Sequence, residues 1–157
     1  MYRELGEFQL ACFTLGDKLF AVDIMRIREI LVLPKLSSLP RVSDILDGVI
    51  NLRGNVIPVM NMRKRFDMPA KDDNKPGKLL IVSLAGQTLA LIVDDVLEII
   101  SVPACEIKPA IRMVTGAGLE FILGVCLSNE RVFMILNIDS LLGLQDMPAS
   151  CLTVVPA

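Results

Sequence analysis

Eight short runs of Val, Ile and Leu meet in pairs across turns of a few residues, and this pairing limits the fold more than any other feature of the chain. Runs 8–15 and 19–22 flank Gly16-Asp17-Lys18, and runs 49–52 and 56–60 flank Arg53-Gly54-Asn55. Runs 79–84 and 89–93 flank residues 85–88, and runs 125–127 and 132–136 flank residues 128–131. Apolar stretches this short, rich in branched residues and broken by turn formers, read as four β-hairpins. Alternation within them is imperfect, as expected of strands covered on both faces or lining an interface between lobes. The chain is therefore expected to be mostly β, and closing its sheets would remove free edges that invite aggregation.

Helical signals are few. Asp23 is placed to cap a short helix over 24–31, with Ile24, Ile27 and Leu31 on one face. Pro40 is placed to open a helical turn through 43–46, stopped by Gly48, and residues 138–144 read as a last turn or two. Pro58 lies inside an apolar run, which implies an edge strand or a bulge because proline has no N–H for the ladder.

A polar stretch with two Pro and one Gly, residues 67–78, separates two related halves. Laying 10–31 over 79–100 matches Leu15 with Leu84, Ala21 with Ala90, Glu29 with Glu98 and Ile30 with Ile99. Laying 48–66 over 124–142 matches Gly48 with Gly124, Val49 with Val125, Val56 with Val132 and Asn61 with Asn137. The repeat predicts two small barrels of like design, roughly 14–66 and 79–142, with exchange of strands between them allowed. Residues 8–144 then form one domain of two lobes joined by the linker.

The composition excludes many functions. The chain has 157 residues and no His, which removes the commonest general base and metal ligand. With no Trp and one Tyr it lacks stacking platforms, and a net charge of −2 argues against a general nucleic-acid binder. Its Cys residues, 12, 105, 126 and 151, stand singly, so no Cys-x-x-Cys metal or redox motif exists. They read as reduced, mostly buried thiols of a cytoplasmic protein. The first residues carry no hydrophobic signal region, and no apolar run approaches the roughly twenty residues of a membrane span. Asp72-Asp73 and Asp94-Asp95 read as a solvated loop and a strand end, because adjacent side chains on a strand point apart. Arg63-Lys64-Arg65 reads as a solvated strand end. The eight Met are read as core filler. Nothing here supports catalysis, a metal or a cofactor.

The most informative stretch is Gly48-Val-Ile-Asn-Leu-Arg-Gly-Asn-Val-Ile-Pro-Val-Met-Asn-Met-Arg63. Two apolar strands meet at a turn where Gly54 takes positive φ at little cost, and Arg53 stands at the tip as a planar, permanently charged fork. The run resembles the signature hairpin of the CheW family, the coupling proteins of bacterial chemotaxis. That pattern is Gly-Val-x-Asn-Leu-Arg-Gly-x-[Ile/Val]-[Ile/Val]-Pro-[Ile/Val]-x-[Asp/Asn]-[Leu/Met]-Arg, with Asn61 standing where many members carry Asp. Phe13-Thr-Leu-Gly-Asp, Asp23-Ile-x-x-Ile-x-Glu-Ile30, Val93-Asp-Asp-Val96 and Leu136-Asn-Ile-Asp-Ser-Leu-Leu142 are similar to the family as well. The resemblance spans roughly residues 8–142.

The resemblance implies two SH3-like five-stranded β-barrels packed on a shared hydrophobic core, with a few short helices. It implies a non-catalytic cytoplasmic adaptor, associated with membrane-bound receptor arrays through its partners. Those partners would be the cytoplasmic tip of a chemoreceptor (a methyl-accepting chemotaxis protein) and the regulatory domain of the histidine kinase CheA. Carried over residue by residue, the partner-contact positions are Ile27, Glu29, Gly48, Asn51, Leu52, Arg53 and Gly54, with Arg53 assigned mainly to the receptor. A scaffold of a non-flagellar chemosensory system and a small-ligand-binding β-barrel accessory subunit stand as alternatives. The second of these predicts a cavity with convergent polar groups.

Overall fold

A computed structural model of the chain describes residues 6–37, 44–71, 75–84, 86–109 and 121–141. The described residues form ten strands. The first five are β1 (Glu7–Leu15), β2 (Lys18–Asp23), β3 (Ile27–Val32), β4 (Leu46–Leu52) and β5 (Asn55–Asn61). The second five are β6 (Lys78–Leu84), β7 (Gln87–Val93), β8 (Asp95–Pro103), β9 (Ile122–Ser128) and β10 (Arg131–Leu136). A four-residue helix α1 (Met62–Arg65) follows β5, and 3-10 turns occupy Ile24–Arg26, Ala104–Glu106 and Ile138–Ser140. All four hairpins read from the sequence are present, as β1–β2, β4–β5, β6–β7 and β9–β10.

The strands form two five-stranded sheets that trade hairpins. Sheet A runs β8-β1-β2-β10-β9, and sheet B runs β3-β6-β7-β5-β4. The repeat matches β1 to β5 with β6 to β10 in order, yet each sheet takes the leading hairpin of one repeat and the last three strands of the other. The stretches 14–66 and 79–142 therefore do not each make a sheet. Exchange places β1 against β8 and β3 against β6, both antiparallel, while β10 joins β2 and β5 joins β7 in parallel. One isolated bridge brings the two edges of each sheet together, Ser37 to Val49 in sheet B and Lys108 to Val125 in sheet A. These bridges join matching valines of the repeat, so each sheet closes as a barrel in the same way.

The exchange explains the poor alternation of the apolar runs. On β1, Leu10 and Cys12 point into barrel A, whereas Ala11, Phe13 and Leu15 point to a core shared by the barrels. On β6, Leu79 and Ile81 fill barrel B, and Leu80, Val82 and Leu84 face the shared core. These strands are buried on both faces, so both sets of positions are apolar. Within the shared core Phe13 stacks on Phe20 at 5.5 Å, and Phe66 reaches Phe20 at 5.1 Å and Phe121 at 5.7 Å.

Three local expectations change. The helix expected over 24–31 is only the turn Ile24–Arg26; the rest is β3, an edge strand that pairs with β6. Asp23 does cap the turn, accepting the Met25 N–H at 3.0 Å, but Ile27, Glu29 and Leu31 alternate in burial at a period of two. Residues 24, 27 and 31 fit a helix face, and 27, 29 and 31 fit a strand equally well; the bond partner offered by β6 decides. Of the turn expected over 43–46, Ser43 lies outside the described residues, residue 46 already belongs to β4, and Gly48 lies within that strand rather than stopping a helix. The last turn is present over Ile138–Ser140, with residues 142–144 outside the described residues. Pro58 sits in an interior strand between β4 and β7, so of the two expected settings the edge is absent, while β4 bulges between Leu46 and Gly48 opposite the neighbouring Val59 and Met60. Its cross-strand partner Val49 directs both backbone groups away, to Ser37. Pro58 therefore turns its nitrogen from β4 as well, and the ladder to β7 starts only at Val59.

Candidate partner-binding site

The β4–β5 turn holds two residues in the left-handed region, Arg53 at φ 52° and Gly54 at φ 86°. Such a two-residue turn matches the twist of the flanking strands. The Asn51 side chain accepts the Gly54 N–H at 3.0 Å and fixes the tip. Arg53 is 70% exposed but not unpartnered. Its Nη2 donates to Glu29 Oε1 at 2.5 Å and its Nη1 to Oε2 at 3.5 Å. Hydrogen bonding to that carboxylate, reinforced by its charge, raises the Arg53 pKa further.

Glu29 lies on β3 and Arg53 at the end of β4, the opposite edges of sheet B. Their ion pair thus spans the seam that the Ser37–Val49 bridge closes. The resemblance puts both residues among the expected contact positions without showing that they touch. Exposed apolar side chains lie on the same two sides of the barrel: Ile30 and Val32 on β3, and Val56 on β5 opposite Asn51. The chemistry offered is a charged fork and a carboxylate beside apolar surface.

The other expected contact residues divide by burial. Ile27 is half-buried against the shared core, and Leu52 against the core of barrel B. Gly48 is buried and offers no surface. A Cβ there would stand 2.4 Å from the Ser37 carbonyl oxygen, so this glycine serves the close approach of strand β4 to residue 37. Gly124 meets the Lys108 carbonyl in the matching place of barrel A.

Two ion pairs elsewhere in the fold leave no trace in the sequence pattern. Arg63 and Asp94, read as exposed, are only 17% and 15% exposed and bond through two contacts, at 2.9 and 2.5 Å. Arg63 also donates to the Pro69 carbonyl at 2.8 Å, and Asp94 accepts the Gly16 N–H at 2.7 Å. Burial pushes the Asp94 carboxyl up. The hydrogen bonds from Arg63 and Gly16, with the nearby charges of Arg63 and Lys71, outweigh it and leave the pKa below its ordinary 3.8. In the second link Arg26 donates to Asp139 at 2.6 Å and to the Ser83 carbonyl; its hydrogen bond holds Asp139 below the ordinary value. By the repeat Asp139 matches Arg63, and Arg26 falls one residue from Asp94, so one link occurs twice with its charges interchanged. Nothing local signals either link, because the partners lie 31 and 113 residues apart.

The basic run is helical rather than a strand end. It forms α1, capped by Asn61; Lys64 bonds Asp47 at 2.7 Å, and Arg65 lies over the Phe121 ring at 4.3 Å. Cys12 and Cys126 are buried in barrel A, with burial pushing the Cys12 pKa up to about 12, and Cys105 is exposed. Cys151, Asp72 and Asp73 lie outside the described residues. Met60 and Met62 are core residues, but Met25 is 84% exposed. Among the described residues no group of three His, Cys, Asp or Glu could hold a metal ion, and no helix is long and apolar enough to cross a membrane.

Comparison with known proteins supplies the family. The chain is 28% identical over 145 residues to "Chemotaxis protein CheW" of Treponema pallidum, covering 90% of this chain and 85% of that protein. It is 30% identical over 139 residues to "Protein FrzA" of Myxococcus xanthus, covering 87% and 86%. Among solved structures it is similar to the scaffolding protein TtCheW of Thermoanaerobacter tengcongensis, with a TM-score of 0.81, 28% identity and coverage of 89% of this chain and 95% of that one. The family model described as the CheW-like domain matches residues 9–146. With two closed, hairpin-exchanged barrels and that match over most of its length, the chain belongs to the CheW family, a family of chemotaxis scaffolds.

Proposed function

We propose that this chain is a non-catalytic adaptor that couples the cytoplasmic tip of a chemoreceptor to the regulatory domain of the histidine kinase CheA. The observation that carries the reading is the seam of barrel B. There Glu29 and the exposed Arg53 form a fixed charged pair between apolar side chains on β3 and β5. A receptor tip is a helical hairpin, and a helix face would lay its apolar side chains on such a surface. Arg53 uses two of its N–H groups on Glu29, and the remaining donors are available for a partner's carboxylate or carbonyl. Ile27, Glu29, Asn51, Leu52, Arg53 and Gly54 belong to or border this surface, and Gly48 acts beneath it by closing the seam. The protein would act in the cytoplasm, held at receptor arrays by its partners.

The test is co-purification with a receptor cytoplasmic fragment and CheA, followed by kinase activity with and without this chain. Arg53→Glu places a second carboxylate against Glu29 and removes the donor fork. Receptor binding is expected to weaken by about 1–3 kcal/mol, the scale for losing a hydrogen bond to a charged group, with the fold unchanged by circular dichroism. Equal receptor affinity for the folded variant and the parent would remove Arg53 from the interface. A non-flagellar chemosensory output is the second reading. The similarity to FrzA, 30% against 28% for the Treponema CheW, does not separate the two outputs. Kinase control with receptors of one system and not the other would decide.

A further inference from the structure

The two barrels carry opposite charge. Residues 27–93, which contain the five strands of barrel B, hold ten Lys and Arg against six Asp and Glu. The rest of the chain, which contains the five strands of barrel A, holds six against twelve. The net charge of −2 thus conceals +4 on one share and −6 on the other. The segregation reaches the seams. The β9–β10 turn repeats the β4–β5 turn, with Asn129 and Glu130 in the left-handed region where Arg53 and Gly54 stand in barrel B. The tip of barrel B presents an arginine and the tip of barrel A a glutamate. Two residues before the closing bridge barrel B has Lys35 and barrel A has Glu106, both exposed.

The apolar part of the seam is kept. Ile99 matches Ile30 and Val132 matches Val56, and all four are exposed. Barrel A adds Leu97 and Leu127, where the repeat has Arg28 and Asn51 in barrel B. Leu127 lies opposite Val132 across the hairpin, and both line a shallow recess of about 260 Å3 with Glu106 and Lys108. A Glu–Arg pair recurs as well: Glu98, the match of Glu29, accepts from Arg131 at 3.0 Å, and both side chains are partly exposed. Seam A therefore has Asp95, Glu98, Glu106 and Glu130 against Lys108 and Arg131. Besides the paired Asp47 and Lys64, seam B has Arg28, Lys35 and Arg53 against Glu29.

We infer that free copies of this chain associate head to tail, the seam of barrel A on one copy covering the seam of barrel B on the next. Charge selects this pairing. A on A opposes carboxylate to carboxylate, and B on B opposes arginine to arginine. Only unlike seams bring their apolar strips together without like-charge repulsion. Glu130 supplies a carboxylate for the Arg53 donors that Glu29 leaves unused. A contact between two different faces leaves one seam free at each end, so mass grows with concentration. The contact also covers the surface proposed above for the receptor, so a receptor tip and a second copy compete. That competition alone rests on the receptor reading.

Sedimentation velocity of the full chain tests this. The mean sedimentation coefficient should rise with protein concentration in low salt. The rise should shrink at about 1 M salt, where charges are screened within about 3 Å. Glu130→Arg alone and Arg53→Glu alone should each stay monomeric at concentrations where the parent associates, because like charges then meet at the tips. An equimolar mixture of the two should associate again, since each altered tip then meets its opposite. A parent that sediments as a monomer throughout, or a mixture no different from its components, would overturn the inference. Should Arg53→Glu fail to fold by circular dichroism, Arg28→Glu on the same seam takes its place. A receptor cytoplasmic fragment should dissolve the assemblies. Assemblies that persist with the fragment bound would remove the barrel B seam as the receptor surface, while the contact between copies stands.

Discussion

Gly48→Val is expected to destabilise the protein by about 2–5 kcal/mol, from overpacking and the loss of two backbone hydrogen bonds. The bonds at risk are Ser37 N–H to Val49 at 3.0 Å and Val49 N–H to Ser37 at 2.9 Å. A Cβ 2.4 Å from the Ser37 oxygen meets backbone, which cannot swing aside as a side-chain end could. The seam must open, and with it the geometry that holds Glu29 against Arg53. Urea unfolding measures the loss, and receptor binding should fall with it although residue 48 is buried. Gly54→Ala is the control. No atom lies within 4 Å of its Cβ, and only the φ of 86° is strained, so a loss of about 1 kcal/mol is expected. Equal costs at the two glycines would show that the seam contact is not what makes Gly48 necessary.

Arg63→Ala should cost about 2–4 kcal/mol, somewhat less than removing one partner of a fully buried pair because a sixth of each side chain remains exposed. The substitution leaves Asp94 mostly buried, with the Gly16 N–H still bonded. It also frees the Pro69 carbonyl, so α1, the β1–β2 turn and the β7–β8 junction lose their common tie. Arg131→Ala, which removes the pair to Glu98 at 39% and 46% exposure, should cost less than about 1 kcal/mol. The same tie sets the acid response. The folded state holds Asp94 and Asp139 below the ordinary aspartate value of 3.8, so it favours their ionised forms. That contribution is complete above the unfolded value and is lost as pH falls through the folded ones. The urea midpoint of the parent should drop as pH is taken below 3.8, and that of Arg63→Ala should drop less, because Asp94 then loses the hydrogen bond and charge of Arg63. Parallel curves for the two proteins would remove the Arg63–Asp94 pair as a source of acid sensitivity.

The sequence carried the hairpins, the internal repeat and the Arg53-Gly54 tip, because each depends on residues close together in the chain. Apolar runs across short turns specify local pairing, and a glycine beside a polar residue specifies a tight turn. Strand β3 reads as helix because residues 24, 27 and 31 fit a helix face while 27, 29 and 31 fit a strand, and only β6, roughly fifty residues away in the chain, breaks the tie. Arg63 and Asp94 read as surface charges because nothing local shows that two distant charges meet in a half-buried place. For the same reason chain order leaves Glu29 and Arg53 unconnected, and only the barrel seam brings them together.

The chain by itself determined that it would be built of hairpins twice over and would carry no His. Which hairpin enters which barrel was decided by tertiary structure alone. Exchange lets β1 and β6 bury both faces, one in their own barrel and one in the shared core, which is where apolar residues on both sides of a strand find cover. The placing of the charged fork followed from the same closure. Opposite edges of one sheet have no neighbour in sequence, and only the curvature of a closed barrel sets Glu29 within reach of Arg53.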